Sequence, residues 1–165
     1  MIFELLKAIK DTLIEVLENM FMREAGQSSN LSKVSVYIGT FSEEKPRELS
    51  EYPFVALRPG YANLTDEGME AEVKITCGSY IAGRPTDAGI NEITNLSFRI
   101  MKSLSEKRVI GSRFEVVLPM EVHHYVPSAK PYCLAELSTR WRIPGSFSFE
   151  PDKDEMYGSG YDVEQ

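Results

Sequence analysis

The sequence predicts an α+β domain in which a single mixed or antiparallel β-sheet packs against two amphipathic helices. Apolar residues recur at helical spacing in two segments, residues 2–20 and 90–104, and alternate with polar residues in several others. Only one of the two helices lies between strands, which disfavours a doubly wound fold. A chain of 165 residues suits one domain, since typical domains hold about 100 to 150 residues.

The first predicted helix covers residues 1–22, because its apolar side chains follow three- and four-residue steps. Phe3, Ile14 and Phe21 widen this stripe beyond one contact surface. The stripe therefore predicts a helix packed on the core, and leaves open that part of it meets a neighbouring subunit. The polar residues 25–32 are expected to end the helix in a turn.

Three segments with a period of two follow and predict strands at 33–39, 54–58 and 69–82. The charged residues 40–51 between the first two strands predict a solvated loop. Pro59 is expected to close the second strand, since proline is rare inside strands. The third strand has the clearest alternation, so one of its faces should be core and the other should meet water or a polar partner.

The second helix is predicted to begin at Thr86 or Asp87, either of which can cap it, and to end near residues 106–108. Two strand segments, 113–118 and 121–126, are expected after it, on either side of a proline. A further strand should follow the loop that comes after them.

That last strand, residues 133–143, alternates a mostly apolar face with a charged one. Arg140 and Arg142 share the charged face, which is either an exposed surface or a contact between subunits. Trp141 and Pro144 stand beside them and suit an interface, where arginine and tryptophan are enriched. Arg140, Trp141 and Arg142 are therefore the candidate interface residues.

Charge is unevenly spread along the chain. The formal net charge is −7, and residues 150–165 hold six acids against one lysine, which gives −5 and leaves −2 for the rest. The expected organisation is a domain at 1–144 followed by an acidic, flexible tail at 145–165. A nearly neutral body argues against nucleic-acid recognition, which needs a basic face.

The apolar runs and the cysteines indicate whether the chain enters a membrane and in which redox compartment it works. No apolar run approaches the roughly 20 residues of a membrane span, so neither a span nor a signal peptide is expected. Cys77 and Cys133 lie far apart, without ligand-type neighbours. They are predicted to be reduced thiols in the core of a protein from a reducing compartment.

The sequence predicts no catalytic residue, metal or cofactor. His123 and His124 are adjacent, so in a strand they point to opposite faces and cannot converge on one metal. No nucleophile elbow or phosphate loop is present. Glu70 and Glu72, which alternate with Lys74, are predicted to belong to a solvated sheet face.

Four segments, taken in order and spacing, carry a family resemblance: 52–59, 73–80, 110–114 and 134–144. They resemble the tail terminator, or tail completion, proteins of tailed bacteriophages and prophages, a family of minor tail proteins. The resemblance covers most of residues 1–144. It implies an α+β protomer that assembles into a ring, expected to be a hexamer, on the end of the tail tube.

The resemblance also implies a location and partners. Such a ring stops tube elongation and joins the tail to the head connector. It needs no cofactor and no catalytic residue, and lies at the head-proximal end of the virion tail after assembly in the host cytoplasm. Its partners are other copies of itself, the tube protein and the connector proteins. Arg140, Trp141 and Arg142 then become candidates for subunit or tube contact.

Two alternatives stay open at this point. A neck or head-tail joining protein would share the size and fold class. A small enzyme or ligand-binding domain would instead use the polar strand face with His123 or His124.

Overall fold

The computed structural model describes residues 1–23, 31–39, 51–80, 86–125 and 131–144. Within these ranges it contains two helices, a six-stranded mixed sheet and a small two-stranded sheet, which confirms the α+β class. Except for Glu51, the predicted loop at 40–51 lies outside the described residues, as does the predicted acidic tail. The elements are α1 (Ile2–Leu17), β1 (Phe21–Arg23), β2 (Leu31–Lys33), β3 (Ser35–Ile38), β4 (Phe54–Thr65), β5 (Gly68–Tyr80), α2 (Thr86–Lys107), β6 (Val109–Ile110), β7 (Phe114–Tyr125) and β8 (Tyr132–Ile143).

The six-stranded sheet has the order β3-β4-β5-β8-β7-β6. β3 and β4 run parallel, and every other neighbouring pair is antiparallel. α1 packs on β3 and β4, whereas α2 packs on β5, β7 and β8. Since side chains alternate across a strand, the sheet presents one face to the helices and a second face away from them.

The main core lies between the helices and the sheet. α1 buries Leu5, Ile9 and Leu13 at four-residue steps, as the apolar spacing predicts. The helix-facing side chains of β5 and β8 alternate with polar ones and close the core from the other side. The fully or almost fully buried sheet and α2 residues include Ala71, Val73, Ile75, Cys77, Ile93, Leu96, Ile100, Leu104, Ala135, Leu137, Trp141 and Ile143.

A second apolar cluster lies on the other face of the sheet, at one end. It consists of the buried Tyr52, Phe54, Ala56, Tyr132 and Leu134, with two half-buried tyrosines packed against them. The Tyr52 ring stands 5.1 Å from the Phe54 ring and 6.2 Å from the Tyr132 ring. We call this group the aromatic cluster. It makes one end of the otherwise polar face apolar.

The first helix is shorter than the sequence predicts. Its apolar spacing continues to residue 22, but α1 ends at Leu17 and β1 begins at Phe21. β1 pairs antiparallel with β2, and Met22 on this hairpin is buried. A pairing between residues 21–23 and 31–33 competes with helix propagation, and the local apolar pattern does not reveal it.

Two strands continue through prolines that were expected to end or interrupt them. β4 runs past Pro59 to Thr65, with an irregularity between Pro59 and Ala62. β7 likewise spans Pro119, with an irregularity between Val117 and Glu121. Prolines are tolerated at bulges and on edge strands, which explains both corrections. The two-residue β6 was also missed. Neither described helix is long and apolar enough to cross a membrane.

Both cysteines are buried and form no disulfide with each other, as predicted. Burial raises the pKa of the Cys77 thiol far above its ordinary value, because desolvation disfavours the thiolate. We therefore expect a thiol-specific reagent at about pH 8.5, near the ordinary pKa of a free thiol, to label native Cys77 only slowly. The control is the same reaction in denaturant, where the thiol should react at once. Rapid labelling of the native protein, located to Cys77 by peptide mapping, would contradict this expectation.

Candidate interaction surface on the polar face of the sheet

The face of the sheet that points away from the helices is polar in its middle and at one end. We call it the polar face. Register alignment places Lys74 of β5 opposite Ser138 of β8, and Glu136 of β8 between Thr76 and His123. The polar side chains that share this face are Arg58, Glu70, Glu72, Lys74, Thr76, Glu115, Glu121, His123, Glu136, Ser138, Arg140 and Arg142.

Lys74 is the centre of a charge network on this face. Its Nζ lies 3.1 Å from Glu72 Oε1 and 3.9 Å from Glu136 Oε1, and donates a 2.6 Å hydrogen bond to Ser138 Oγ. Glu136 also accepts a 3.1 Å hydrogen bond from Arg58 Nη2. Two cations balance two carboxylates, so these four charges compensate one another within the protomer.

Replacing Lys74 should destabilise the protein, because it removes the cation that Glu72 and Glu136 share. The Lys74 and Glu72 side chains are only 22% and 15% exposed, so Lys74→Met leaves half-buried carboxylates without their shared cation. The expected cost is about 1 to 3 kcal/mol of unfolding free energy, measured by urea denaturation. The control is Lys102→Met, whose side chain is 76% exposed beside Glu106 and whose expected cost is below about 0.5 kcal/mol. Equal losses in both variants would contradict the network.

A concavity of about 520 Å³ opens on the polar face next to this network. Tyr61 and Tyr125, both more than half exposed, stand on its lining together with His123 and Arg140. Among the described residues, no carboxylate lies within ion-pair distance of the Arg140 guanidinium. Glu72, the cross-strand partner of Arg140, and Glu121 line the same concavity, so Arg140 adds a positive charge there that no direct ion pair engages.

The structure separates the three candidate interface residues. Arg140 and Arg142 share the polar face, as predicted, and Arg142 Nη1 lies 3.1 Å from Glu115 Oε2. Trp141 points to the helix side and is fully buried. Its Nε1 donates a 2.8 Å hydrogen bond to Thr139 Oγ1. The prediction that Trp141 itself makes an interface contact is thus wrong for this protomer, because alternation turns it into the core. Interface roles for Arg140 and Arg142 stay predictions.

Arg142 can be tested without unfolding the protomer. The Arg142 and Glu115 side chains are each more than two-fifths exposed, so Arg142→Glu should cost at most about 1 kcal/mol. If Arg142 contacts a neighbour, the reversal lowers the mass of the assembly measured by light scattering. The double variant Arg142→Glu with Glu115→Arg restores the pair inside the protomer and should not restore the assembly. An unchanged mass in both variants would count against Arg142.

The two histidines point to opposite faces, as predicted. His123 faces the concavity, whereas His124 Nε2 lies 3.3 Å from Ser97 Oγ on α2. Ser97 is fully buried and donates a 3.0 Å hydrogen bond to the Thr94 carbonyl. The Ser97 hydroxyl is therefore not accessible to a substrate, although His124 itself is exposed. No cluster of three or more histidine, cysteine or acidic residues able to hold a metal occurs in the described ranges.

Exposed apolar side chains occur on several sides of the protomer. Phe3, Ile14 and Phe21, the residues that widen the predicted helical stripe, are all about half exposed or more. The sequence pattern did not reveal a second group, Tyr61 and Leu64 on β4 with Leu118 and Tyr125 on β7. For Tyr61 and Leu64, the only local signal in the sequence was the run of uncharged residues at 59–65.

The exposed surface thus combines a polar face, an open concavity and dispersed apolar side chains. Its chemistry suits contact with other macromolecules, since aromatic residues and arginine are enriched where proteins meet. Comparison with protein-family models and with curated proteins finds no match to this chain.

Proposed function

We propose that this protein is a structural assembly protein of a tailed phage or prophage. It caps the tail tube, ends tube elongation and provides the surface for joining to the head connector. One observation supports this most directly. Of the four segments that resemble tail terminators, 52–59, 73–80 and 134–144 include parts of the adjacent strands β4, β5 and β8. The fourth segment, 110–114, includes Ile110 of β6 and Phe114 of β7, so the resemblance extends across five of the six strands of the sheet.

The exposed apolar residues are consistent with a protomer that has several neighbours. Phe3 and Ile14 lie on the outer side of α1, Phe21 and Leu31 on the small hairpin, and Leu64 near the tip of the β4–β5 hairpin. The proposed partners are further copies in a ring, with six as the expected number, the tube protein and the connector proteins. Neither a cofactor nor a catalytic residue enters this function, which is exerted in the virion tail after assembly in the bacterial cytoplasm.

The direct experiment adds the purified protein to growing tail tubes and measures tube lengths by negative-stain imaging. The expected result is growth arrest, with additional density at one tube end. Tubes that elongate equally with and without the protein would refute the proposal. A neck protein, the nearest alternative, would instead bind filled capsids before it binds tubes.

A ligand-binding function is the second candidate, favoured by the concavity of about 520 Å³ that His123, Tyr61 and Tyr125 line. The two histidines provide a matched pair, since only His123 faces this space. A binding activity lost in His123→Ala and kept in His124→Ala would favour this candidate. Equal behaviour of both variants, together with tube capping, would favour the assembly function.

A further inference from the structure

The short outer strands β3 and β6 cover only parts of their neighbours β4 and β7. The remaining segments of β4 and β7 have no partner strand on that side in the part of the chain that the structure describes. β3 pairs with β4 only along residues 54–57, which leaves residues 59–65 open. β6 pairs with β7 only at residues 114–115, and the Val116 N–H donates to the Arg108 carbonyl, which leaves residues 117–125 open. We call these segments the β4 edge and the β7 edge. They lie on opposite sides of the sheet.

Both edges are only partly protected against pairing with another chain. Edge strands are normally short, charged or covered, since their free N–H and C=O groups otherwise recruit a further strand. The β4 edge has no charged residue, and the β7 edge has one carboxylate, Glu121. Each edge also contains a proline and an irregularity, between Pro59 and Ala62 on β4 and between Val117 and Glu121 on β7, so the regular open part is residues 62–65 on the β4 edge and 121–125 on the β7 edge. Both edges expose large apolar side chains: Tyr61 55%, Leu64 59%, Leu118 45% and Tyr125 53%.

Strand direction makes the two edges complementary. β4 is antiparallel to β5, β5 to β8, and β8 to β7, so β4 and β7 run in opposite directions. A neighbouring copy in the same orientation can therefore place its β7 edge antiparallel to the β4 edge, with all helices on the same side. Pairing two β4 edges about a two-fold axis would leave both β7 edges uncovered. Head-to-tail contact covers both edges of every interior copy.

We propose that copies of this chain join head to tail by pairing the β4 edge of one with the β7 edge of the next. This inference rests on the self-association in the proposed function, and supplies the contact of its ring. Followed across β5 and β8, the register aligns Ala62 of the β4 edge with Val116, just before the β7 edge begins, and Tyr125 of the β7 edge with Phe54, at the start of β4. The two edges therefore lie toward opposite ends of the sheet. Neighbours are therefore staggered along the strands, and a closed ring requires strands tilted to its axis, as in barrels.

Two double variants test this contact by blocking one edge each. Tyr61→Glu with Leu64→Glu places charges on the β4 edge, and Leu118→Glu with Tyr125→Glu does so on the β7 edge. Each variant alone should lose the wild-type oligomer. An equimolar mixture should form a one-to-one dimer, because each partner supplies the edge that the other lacks. Sedimentation velocity measures the masses, and circular dichroism checks that each variant is folded.

Lys102→Glu is the control, since Lys102 is 76% exposed on α2, an element that belongs to neither edge. It should keep the wild-type mass. Oligomers that survive both blocks, a blocked variant that dimerises with itself, or a wild-type monomer at every concentration would overturn the edge contact. Tube capping decides the proposed function separately. If the edge-blocked variants still cap tubes, the edge contact is refuted and the proposed function is not. If the wild-type rings dissociate in the variants as expected but the wild-type protein never caps tubes, the function is refuted and the edge contact is not.

Discussion

Trp141→Ala is expected to lose about 3 to 5 kcal/mol of unfolding free energy, because it empties a fully buried site in the main core. Trp141 stands on β8, between β5 and β7, where the surrounding strands cannot collapse to fill the space. Its indole also donates to Thr139 Oγ1, which in turn donates a 2.8 Å hydrogen bond to the Val73 carbonyl. The variant therefore removes packing and one end of a buried hydrogen-bond chain.

Urea unfolding followed by circular dichroism measures this loss, since the variant lacks the only tryptophan and its fluorescence. The matched control is Arg142→Ala, the exposed neighbour on the same strand, with an expected loss below about 1 kcal/mol. Trp141→Phe keeps most of the volume and should fall between the two. Similar losses in Trp141→Ala and Arg142→Ala would contradict the buried position and reopen an interface role for Trp141.

Gly78→Ala is expected to lose about 1 to 3 kcal/mol of unfolding free energy, because the added methyl group overpacks a buried cluster. A Cβ at this position would lie 2.2 Å from Phe54 Cε1 and 2.4 Å from Phe54 Cζ. The Phe54 ring is fully buried in the aromatic cluster, 5.1 Å from Tyr52 and 5.9 Å from Tyr37. The neighbouring rings leave the Phe54 ring little room to shift. Relieving the clash therefore requires a movement of the backbone or of several rings together.

A double-mutant cycle isolates the clash. Phe54→Leu removes ring atoms that the new methyl would strike, so the double variant Gly78→Ala with Phe54→Leu should lose less than the sum of the two single losses. Gly60→Ala is a comparison of another kind, because its Cβ would meet the Glu72 side chain, which Lys74 holds, and not an aromatic ring. Additive losses in the cycle would show that Phe54 does not cause the destabilisation.

Local periodicity was enough to predict a large part of this fold. The four-residue steps of Leu5, Ile9 and Leu13 identified α1, and the alternation along β5 and β8 identified strands with one buried face. The same alternation placed Arg140 and Arg142 together, and put Cys77 in the core. These features depend on which side of one element is apolar, and a period of 3.6 or 2 records that directly.

Tertiary structure decided the features that depend on pairing between distant segments. Because of these pairings, α1 ends at Leu17, β4 continues past Pro59, and Trp141 faces the core while the arginines beside it in sequence face the other side of the sheet. Tertiary structure also decided which strand edges have no neighbour among the described residues. Alternation assigns each side chain to a face, but an edge is defined by the strand that does or does not lie beside it. Neighbouring strands such as β5 and β8 are more than fifty residues apart, so their pairing depends on packing of the whole domain, and no local pattern contains it.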